Sequence, residues 1–172
     1  VKVVDSRSVS AGIALITLLA VDLVEEGFNT EEIYDKLQEA VSRVDATCVL
    51  DTVSYVRRGG RISAIAAKGV EILHLKPCIE IIDGKLKVGK KYRGKIASVL
   101  KSYVSDRLAG RNDMDLKRVF LPNTLYDREL LESLKNMVTS IIPFQEVLII
   151  NAGCANSCHA GPNAFGVMFF RK

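Results

Sequence analysis

The sequence predicts an α/β protein in which a mixed β-sheet is flanked by helices. Segments with helical spacing of apolar residues alternate with short strand-like segments along the 172-residue chain, a pattern typical of a layered α/β sandwich. One hairpin turn, Asp83-Gly84, lies between two strand-like segments and adds an antiparallel pair. Apolar residues make up 48% and charged residues 26% of the chain, which is typical of a single globular domain over residues 1–172.

The first half of the chain alternates between predicted helices and strands. Ala11–Glu26 is apolar nearly all round, which predicts a helix buried on most sides, and Ser8 or Ser10 is expected to cap it. The next helix is capped at Asn29 or Thr30 and repeats apolar residues at helical spacing. The remaining elements predicted in this half are strands at Val1–Val4 and Ala46–Leu50, a single helical turn before Gly59, and a helix at Ile62–Val70.

The second half begins with the predicted hairpin. Its strands are Pro77–Ile82 and Lys85–Tyr92, on either side of the turn. An amphipathic helix follows at Ile96–Leu108, and Gly110 ends it. The remaining predicted elements are strands at Leu116–Leu121, Phe144–Ile150 and Phe165–Phe170, a helix at Tyr126–Val138, and a loop at Asn151–Asn163 built mainly of small and polar residues.

Composition and motifs exclude several classes of function. The net charge of +4 is too small to indicate a nucleic-acid-binding surface. The longest apolar stretch, Ala11–Val21, is shorter than the roughly 20 residues that span a bilayer, so we expect no stable membrane insertion. The sequence contains no P-loop, no Gly-x-Gly-x-x-Gly fingerprint and no Gly-x-Ser-x-Gly elbow, and we expect no cofactor.

The four cysteines predict a reducing compartment. They do not form the framework of a small disulfide-rich domain, so we expect free thiols in a cytoplasmic protein. Cys154, Cys158 and His159 lie close together in sequence and leave a metal or redox module open as an alternative function. The spacing differs by one residue from haem attachment and supplies fewer ligands than structural zinc requires, so no metal site is predicted. The remaining cysteines are Cys48 and Cys78.

Two segments carry residues that suit an acidic ligand. Gly59-Gly60-Arg61 places two flexible backbone positions beside a guanidinium, an arrangement that can hold a carboxylate or a phosphate. His159 follows a predicted strand, at a position where α/β proteins often bind ligands. A small-molecule phosphotransferase with His159 as the phosphoryl acceptor and Arg61 on the phosphate is therefore a second alternative.

Several short motifs, taken in their order and spacing, resemble the DegV family. The resemblance covers the whole chain but only the larger, C-terminal part of the family's usual length. Because the chain also starts at Val1 rather than Met, we expect it to be the C-terminal lobe of a longer, two-lobed protein. The motifs are Ser8-Val9-Ser10-Ala11-Gly12, Val53–Ser63, Lys76-Pro77-Cys78-Ile79, Asp83-Gly84-Lys85-Leu86, Lys91-Tyr92-Arg93 and His159-Ala160-Gly161-Pro162.

The resemblance implies a bacterial fatty-acid carrier rather than an enzyme. The family holds a fatty acid in an apolar tunnel and presents its carboxylate to a separate fatty acid kinase. Carried over by motif, Arg61 and His159, with Gly59 and Gly60 beside them, belong to the head-group site, and Arg93 belongs to the kinase-docking surface. Burial of an acyl chain is favourable by roughly 0.8 kcal/mol per CH₂, and a buried carboxylate needs polar donors.

Two further expectations follow from this resemblance. The apolar segments Ile13–Val24 and Ile62–Leu75 are expected to supply tunnel wall. Asn163 stands where the family often has a glycine, so the loop that follows His159 departs from the family pattern. In the absence of the second lobe, apolar surface of this lobe is expected to be exposed to solvent and to support a dimer.

Overall fold

Helices and strands alternate in the computed structural model, which describes residues 1–61, 74–125 and 127–172. The predicted helix at Ile62–Val70 and the first residue of the helix predicted at Tyr126–Val138 fall outside these ranges. The strands are β1 (Val44–Val49), β2 (Lys76–Ile82), β3 (Lys85–Tyr92), β4 (Met114–Asn123), β5 (Glu146–Asn151) and β6 (Phe165–Arg171). The helices are α1 (Ala11–Glu25), α2 (Thr30–Val41), α3 (Ser54–Arg58), α4 (Ile96–Leu108), α5 (Arg128–Ile141) and α6 (Cys154–Ala160).

The described strands form one mixed sheet in the order β3-β2-β1-β6-β4-β5. β4 and β5 are parallel, and the other neighbouring pairs are antiparallel. Asp83 and Gly84 join β2 to β3 with φ angles of 51° and 73°, as a two-residue turn with two left-handed positions requires. The predicted α/β class, mixed sheet and central hairpin are confirmed.

Side chains alternate between the two faces of the sheet, and each face has its own core. On one face, Val49 and Val167 pack with Tyr103 of α4 and Leu134 of α5. On the other, α1 covers β1, β6 and β4, and α2 packs against α1. A third, smaller apolar cluster lies beyond α1, where β2 and β3 meet α3 and α6. This third region positions the candidate site.

Arg118 of β4 fixes α1 against the sheet. Its guanidinium pairs with Asp22 of α1 at 3.0 Å and with Glu146 of β5 at 2.5 Å. The side chains of Arg118 and Asp22 are only 11% and 14% exposed. Burial raises the pKa of Asp22, but hydrogen bonds from Arg118 and Lys117 outweigh burial and hold this pKa below its usual value.

Two predictions for the N-terminal region are wrong, and a third is partly correct. Val1–Val4 forms no strand in the described sheet, because an extended apolar segment becomes a strand only when another strand accepts its hydrogen bonds. Ser10 occupies the N-cap of α1 at φ 56°, but no side chain bonds to the helix there. The prediction that α1 is buried on most sides is partly correct, since Leu15, Ile16 and Leu23 are buried whereas Ile13, Val21 and Val24 are exposed. No described helix combines the length and the apolar character needed to cross a membrane.

Candidate functional site

A cavity of about 270 Å³ lies against the part of the sheet that α1 leaves uncovered. Strands β1, β2 and β3 supply much of its apolar wall, including Cys48, Ile79, Ile81 and Leu86. An apolar wall with a few convergent polar groups is typical of a small-molecule site. The polar residues that line it are Ser8, Ser10, Arg61, Asn123, Thr124, Asn156 and His159.

The predicted loop at Asn151–Asn163 contains helix α6, which carries His159 into this cavity. Gly153 is the N-cap residue of α6, and Gly161 follows the helix with φ 74°. Glycine commonly follows the last turn of a helix, so these two glycines mark the start and the end of α6 in the sequence. The prediction of a loop throughout this segment is wrong, because the small residues between the two glycines form a helix of two turns.

His159 packs directly on the C-terminal end of α3. A Cβ atom added at Gly59 would overlap the imidazole ring of His159. The backbone of Gly59 is ordinary, with φ −73°, so close packing rather than conformation requires glycine here. Nδ1 of His159 is buried and has no hydrogen-bond partner. Nδ1 therefore faces the backbone of Gly59 rather than the open part of the cavity.

Arg61 reaches the same cavity through the turn at Gly60. Gly60 has φ 68°, and the backbone N–H of Arg61 then donates to the carbonyl of Val56 at 3.0 Å. Nη1 of Arg61 donates to the carbonyl of Gly59 at 2.8 Å, which holds the exposed guanidinium beside the His159 contact. The structure thus places the predicted residues Gly59, Arg61 and His159 together at one end of the cavity.

Arg93 lies elsewhere. It follows the last residue of β3 and is exposed, and it does not line the cavity. Gly94, the next residue, has φ 128°, so the chain turns immediately after Arg93. Arg93 therefore lies outside the predicted head-group site.

Residues that the sequence analysis missed hold the loop after His159. The hydroxyl of Thr124 donates to the carbonyl of Gly161 at 2.7 Å and accepts from the N–H of Ala164 at 2.9 Å. Asn163 adopts φ 59°, a conformation that asparagine tolerates better than most residues. Its amide donates to Asp51 at 3.1 Å.

Asp51 is itself held by a cation. Its carboxylate pairs with Lys76 of β2 at 2.5 Å, and both side chains are about one-quarter exposed or less. The loop is therefore fixed from two sides, by Thr124 and by Asp51. No short motif marks either residue, because their partners lie far away in the sequence.

The cysteines divide into two pairs with different surroundings. Burial raises the pKa of both Cys48 and Cys78 to about 12, so Cys48 contributes an uncharged thiol to the cavity wall. Cys154 and Cys158, the helix thiols, are exposed on α6. No group of three or more potential metal ligands occurs among the described residues.

The expected tunnel wall is only partly correct. Residues of Ile13–Val24 do not line this cavity, and the N-terminal contribution comes instead from Ser8, Val9 and Ser10. Most of Ile62–Leu75 falls in the part of the chain without a structural description. Strand residues of β1 to β3 take the place of the predicted helix, and α1 packs instead over β1, β4 and β6.

The chain is similar to proteins of one family along its whole length. A family model for DegV, described as a family of uncharacterised proteins, matches residues 1–172. A DegV domain-containing protein of Caldanaerobacter subterraneus is 31% identical and matches 100% of this chain and 61% of its own length. A second, from Clostridium acetobutylicum, is 29% identical and matches 100% of this chain and 60% of its own length. The chain therefore spans about three-fifths of the curated relatives it matches.

Solved structures show the same fold. A fatty-acid-binding DegV protein of Thermus thermophilus has a TM-score of 0.79 and 25% identity, and covers 99% of this chain and 61% of its own. A DegV protein of Eubacterium eligens loaded with heptadecanoic acid has a TM-score of 0.81 and 20% identity, with 99% and 61% covered. The Fatty Acid Kinase (Fak) B3 protein of Streptococcus pneumoniae, loaded with linoleic acid, has a TM-score of 0.81 and 17% identity, with 99% and 60% covered. By sequence and fold, this chain belongs to the DegV family.

Proposed function

We propose that this chain binds a long-chain fatty acid in the cavity, with the carboxylate at His159 and Arg61, and presents it to a separate fatty acid kinase. One observation carries the proposal. His159 and Arg61 both line a largely apolar cavity, so a ring nitrogen and a guanidinium accompany an apolar wall. A carboxylate placed beside them would have a charged partner, while its acyl chain lies against apolar side chains.

The rest of the cavity suits an acyl chain. Strand side chains such as Ile79 and Leu86 offer apolar contact along its wall, and each buried CH₂ contributes roughly 0.8 kcal/mol. The carboxylate remains ionised in such a site only when cationic or polar donors accompany it. Arg61 supplies a permanent charge and His159 supplies a ring nitrogen. This division of a site into an apolar wall and a polar end supports a carrier rather than a catalyst.

The solved relatives support the same ligand class. The DegV proteins of Thermus thermophilus and Eubacterium eligens bind fatty acid or were loaded with one. The Streptococcus pneumoniae protein, named for fatty acid kinase, was loaded with linoleic acid. Because this chain shares their fold over 99% of its length, we assign the same ligand class to its cavity.

Native mass spectrometry combined with lipid extraction tests the binding step. We expect the purified 172-residue chain, supplied with hexadecanoic acid, to retain about one fatty acid per chain. The variant His159→Ala is expected to retain less, and Asn136→Ala, on an exposed helix position away from the cavity, is the matched control. A folded chain that retains no fatty acid at millimolar supply would contradict the proposal.

The kinase-docking role is assigned to Arg93 because it is exposed and separate from the cavity. We expect Arg93→Ala to reduce phosphorylation of the bound fatty acid by a fatty acid kinase of the same source, while the fatty-acid Kd stays unchanged. Lys101→Ala, at an exposed position of α4, is the control. Equal loss in both variants would show that general surface charge, and not Arg93, supports the transfer.

A further inference from the structure

The two helix thiols occupy the side of α6 that faces away from the ligand cavity. Asn156, His159 and Ala160 of this helix line the cavity, and their spacing of three and four residues places them on one face. Cys154 and Cys158 each lie two positions from Asn156, about 200° around the helix, and both are exposed. One short helix therefore carries an accessible pair of thiols on one side and His159, the residue proposed to bind the fatty-acid carboxylate, on the other.

The helix thiols are also the cysteines that an oxidant in solution can reach. A thiol reacts with a peroxide as its thiolate, so a reactive cysteine must be both accessible and able to ionise. Burial raises the pKa of Cys48 and Cys78 to about 12, which keeps both thiols protonated near neutral pH. Oxidation is therefore expected at Cys154 and Cys158, where one thiol can react with the sulfenic acid formed on its neighbour.

The regular geometry of α6 does not allow a disulfide between Cys154 and Cys158. Residues four apart on a helix have their Cβ atoms about 5–6 Å from each other, whereas the two Cβ atoms of a disulfide are about 3.8 Å apart. The backbone between the two cysteines must therefore leave its helical conformation when the bond forms.

α6 has little stability of its own to resist this change. It has seven residues, whereas an isolated helix of fewer than about 12–15 residues is marginal in water. None of its seven described residues is buried, and no side chain caps its N-terminus. A segment with few buried contacts opens at a low cost in free energy, so a disulfide can form at the expense of the helix.

The distortion would fall on His159. The chain after α6 is held, because the hydroxyl of Thr124 donates to the carbonyl of Gly161 at 2.7 Å. His159 lies between this fixed point and Cys158, and its imidazole packs so closely on Gly59 that an added Cβ would overlap the ring. A change in the shape of α6 therefore displaces the imidazole from its place in the cavity wall.

Building on the proposed function, we propose that Cys154 and Cys158 form a site of reversible oxidation that controls fatty-acid binding. Hydrogen peroxide transfers an oxygen atom to one thiolate and gives a sulfenic acid. The second thiol attacks that sulfur, the S–S bond forms and water leaves. The two thiols lose two electrons, and the peroxide gains them and ends as two molecules of water. The disulfide distorts α6 and displaces His159, and a dithiol reductant reverses both changes.

Isothermal titration with hexadecanoic acid, before and after treatment of the 172-residue chain with hydrogen peroxide, tests this inference. We expect the treated chain to bind roughly tenfold to a hundredfold more weakly, the effect of losing one hydrogen bond to a charged group. Dithiothreitol should restore the original Kd. Peptide mapping should show that the peptide containing both helix thiols has lost two hydrogen atoms.

Cys154→Ser and Cys158→Ser are the matched controls. Each variant keeps a small polar side chain on the exposed side of α6 and cannot form the bond. Peroxide should therefore leave the fatty-acid Kd of both variants unchanged. The same treatment of these variants also controls for the oxidation of methionine.

Each outcome separates the inference from the proposed function. If peroxide forms no disulfide within one chain, or if the disulfide forms and the Kd is unchanged, the inference is wrong and fatty-acid binding stands. If peroxide weakens binding equally in Cys154→Ser, another oxidised group is responsible and the inference is overturned. If the reduced chain binds no fatty acid, the proposed function fails, and its control by oxidation fails with it.

Discussion

Gly59→Ala separates ligand binding from stability at the contact between α3 and His159. Gly59 has φ −73° and ψ −1°, which alanine adopts without strain. The new Cβ, however, would overlap the imidazole of His159, so the ring must leave its present position. The substitution therefore displaces His159, the residue proposed to bind the fatty-acid carboxylate, without disturbing the backbone.

The substitution is expected to have opposite effects on the stability of the chain and on its affinity for fatty acid. Alanine in a helical conformation stabilises a chain by about 0.5–1 kcal/mol relative to glycine, which offsets part of the local adjustment. Loss of a hydrogen bond to a charged group costs about 1.5–3 kcal/mol, or roughly tenfold to a hundredfold in Kd. We expect Gly59→Ala to keep its Tm within a few degrees and to lose most of its affinity for fatty acid.

Gly110→Ala is the matched control for this experiment. Gly110 has φ 74°, nothing lies within 4 Å of the position of an added Cβ, and it is remote from the cavity. Left-handed backbone costs a residue with a side chain roughly 1–2 kcal/mol, which lowers Tm by about 2–8 °C in a chain of this size. Its fatty-acid affinity should be unchanged.

Thermal melts and isothermal titration on the same preparations measure both quantities. We expect Gly59→Ala to lose affinity for fatty acid and keep its stability, and Gly110→Ala to lose stability and keep its affinity. If Gly59→Ala binds fatty acid as tightly as the unmodified chain, His159 in this position does not hold the carboxylate. If the Gly59→Ala variant is unfolded instead, the contact between Gly59 and His159 is required for folding.

Further predictions concern the thiols, the acid response and the cavity loop. Iodoacetamide at pH 8 should alkylate the two helix thiols and spare Cys48 and Cys78, whose raised pKa keeps them protonated; labelling of all four in the folded chain would contradict the buried placement. The pKa of Asp22 is lowered in the folded state, so its contribution to stability is present above its unfolded pKa of about 4 and is lost as the pH falls through the folded value. Asp22→Asn should therefore lower Tm at pH 7 and reduce the acid-induced fall in Tm; an unchanged acid profile would refute this coupling. Asn163→Ala removes the bond to Asp51 and places alanine at φ 59°, and should lower Tm by about 2–8 °C; an unchanged Tm would show that the loop is held without it.

The sheet and most helices were predictable because their signals are local. The turn at Asp83-Gly84 and the helical spacing in Ile96–Leu108 each depend on a few neighbouring residues, and both appear where expected. Val1–Val4 failed for the opposite reason. Its composition suits a strand, but a strand also needs a partner that sequence spacing does not reveal.

For the candidate site, the residue types could be proposed from the sequence, whereas the geometry could not. Arg61 and His159 stood out by chemistry and by family motif, and the structure brings them together. The bond between Asn163 and Asp51 joins residues separated by 112 positions, which no local pattern predicts. Ser8 was one of two serines expected to cap α1, whereas its hydroxyl is buried and has no hydrogen-bond partner.

Photolabelling with a fatty acid that carries a diazirine at the end of its chain tests the central claim most directly. We expect peptide maps to show the label on residues around the β2–β3 turn and Ser8, and we expect excess hexadecanoic acid to prevent the labelling. Attachment beside His159 would mean that the acyl chain enters in the opposite direction. Attachment to the exposed side of α1, around Ile13 and Val21, would contradict binding in this cavity.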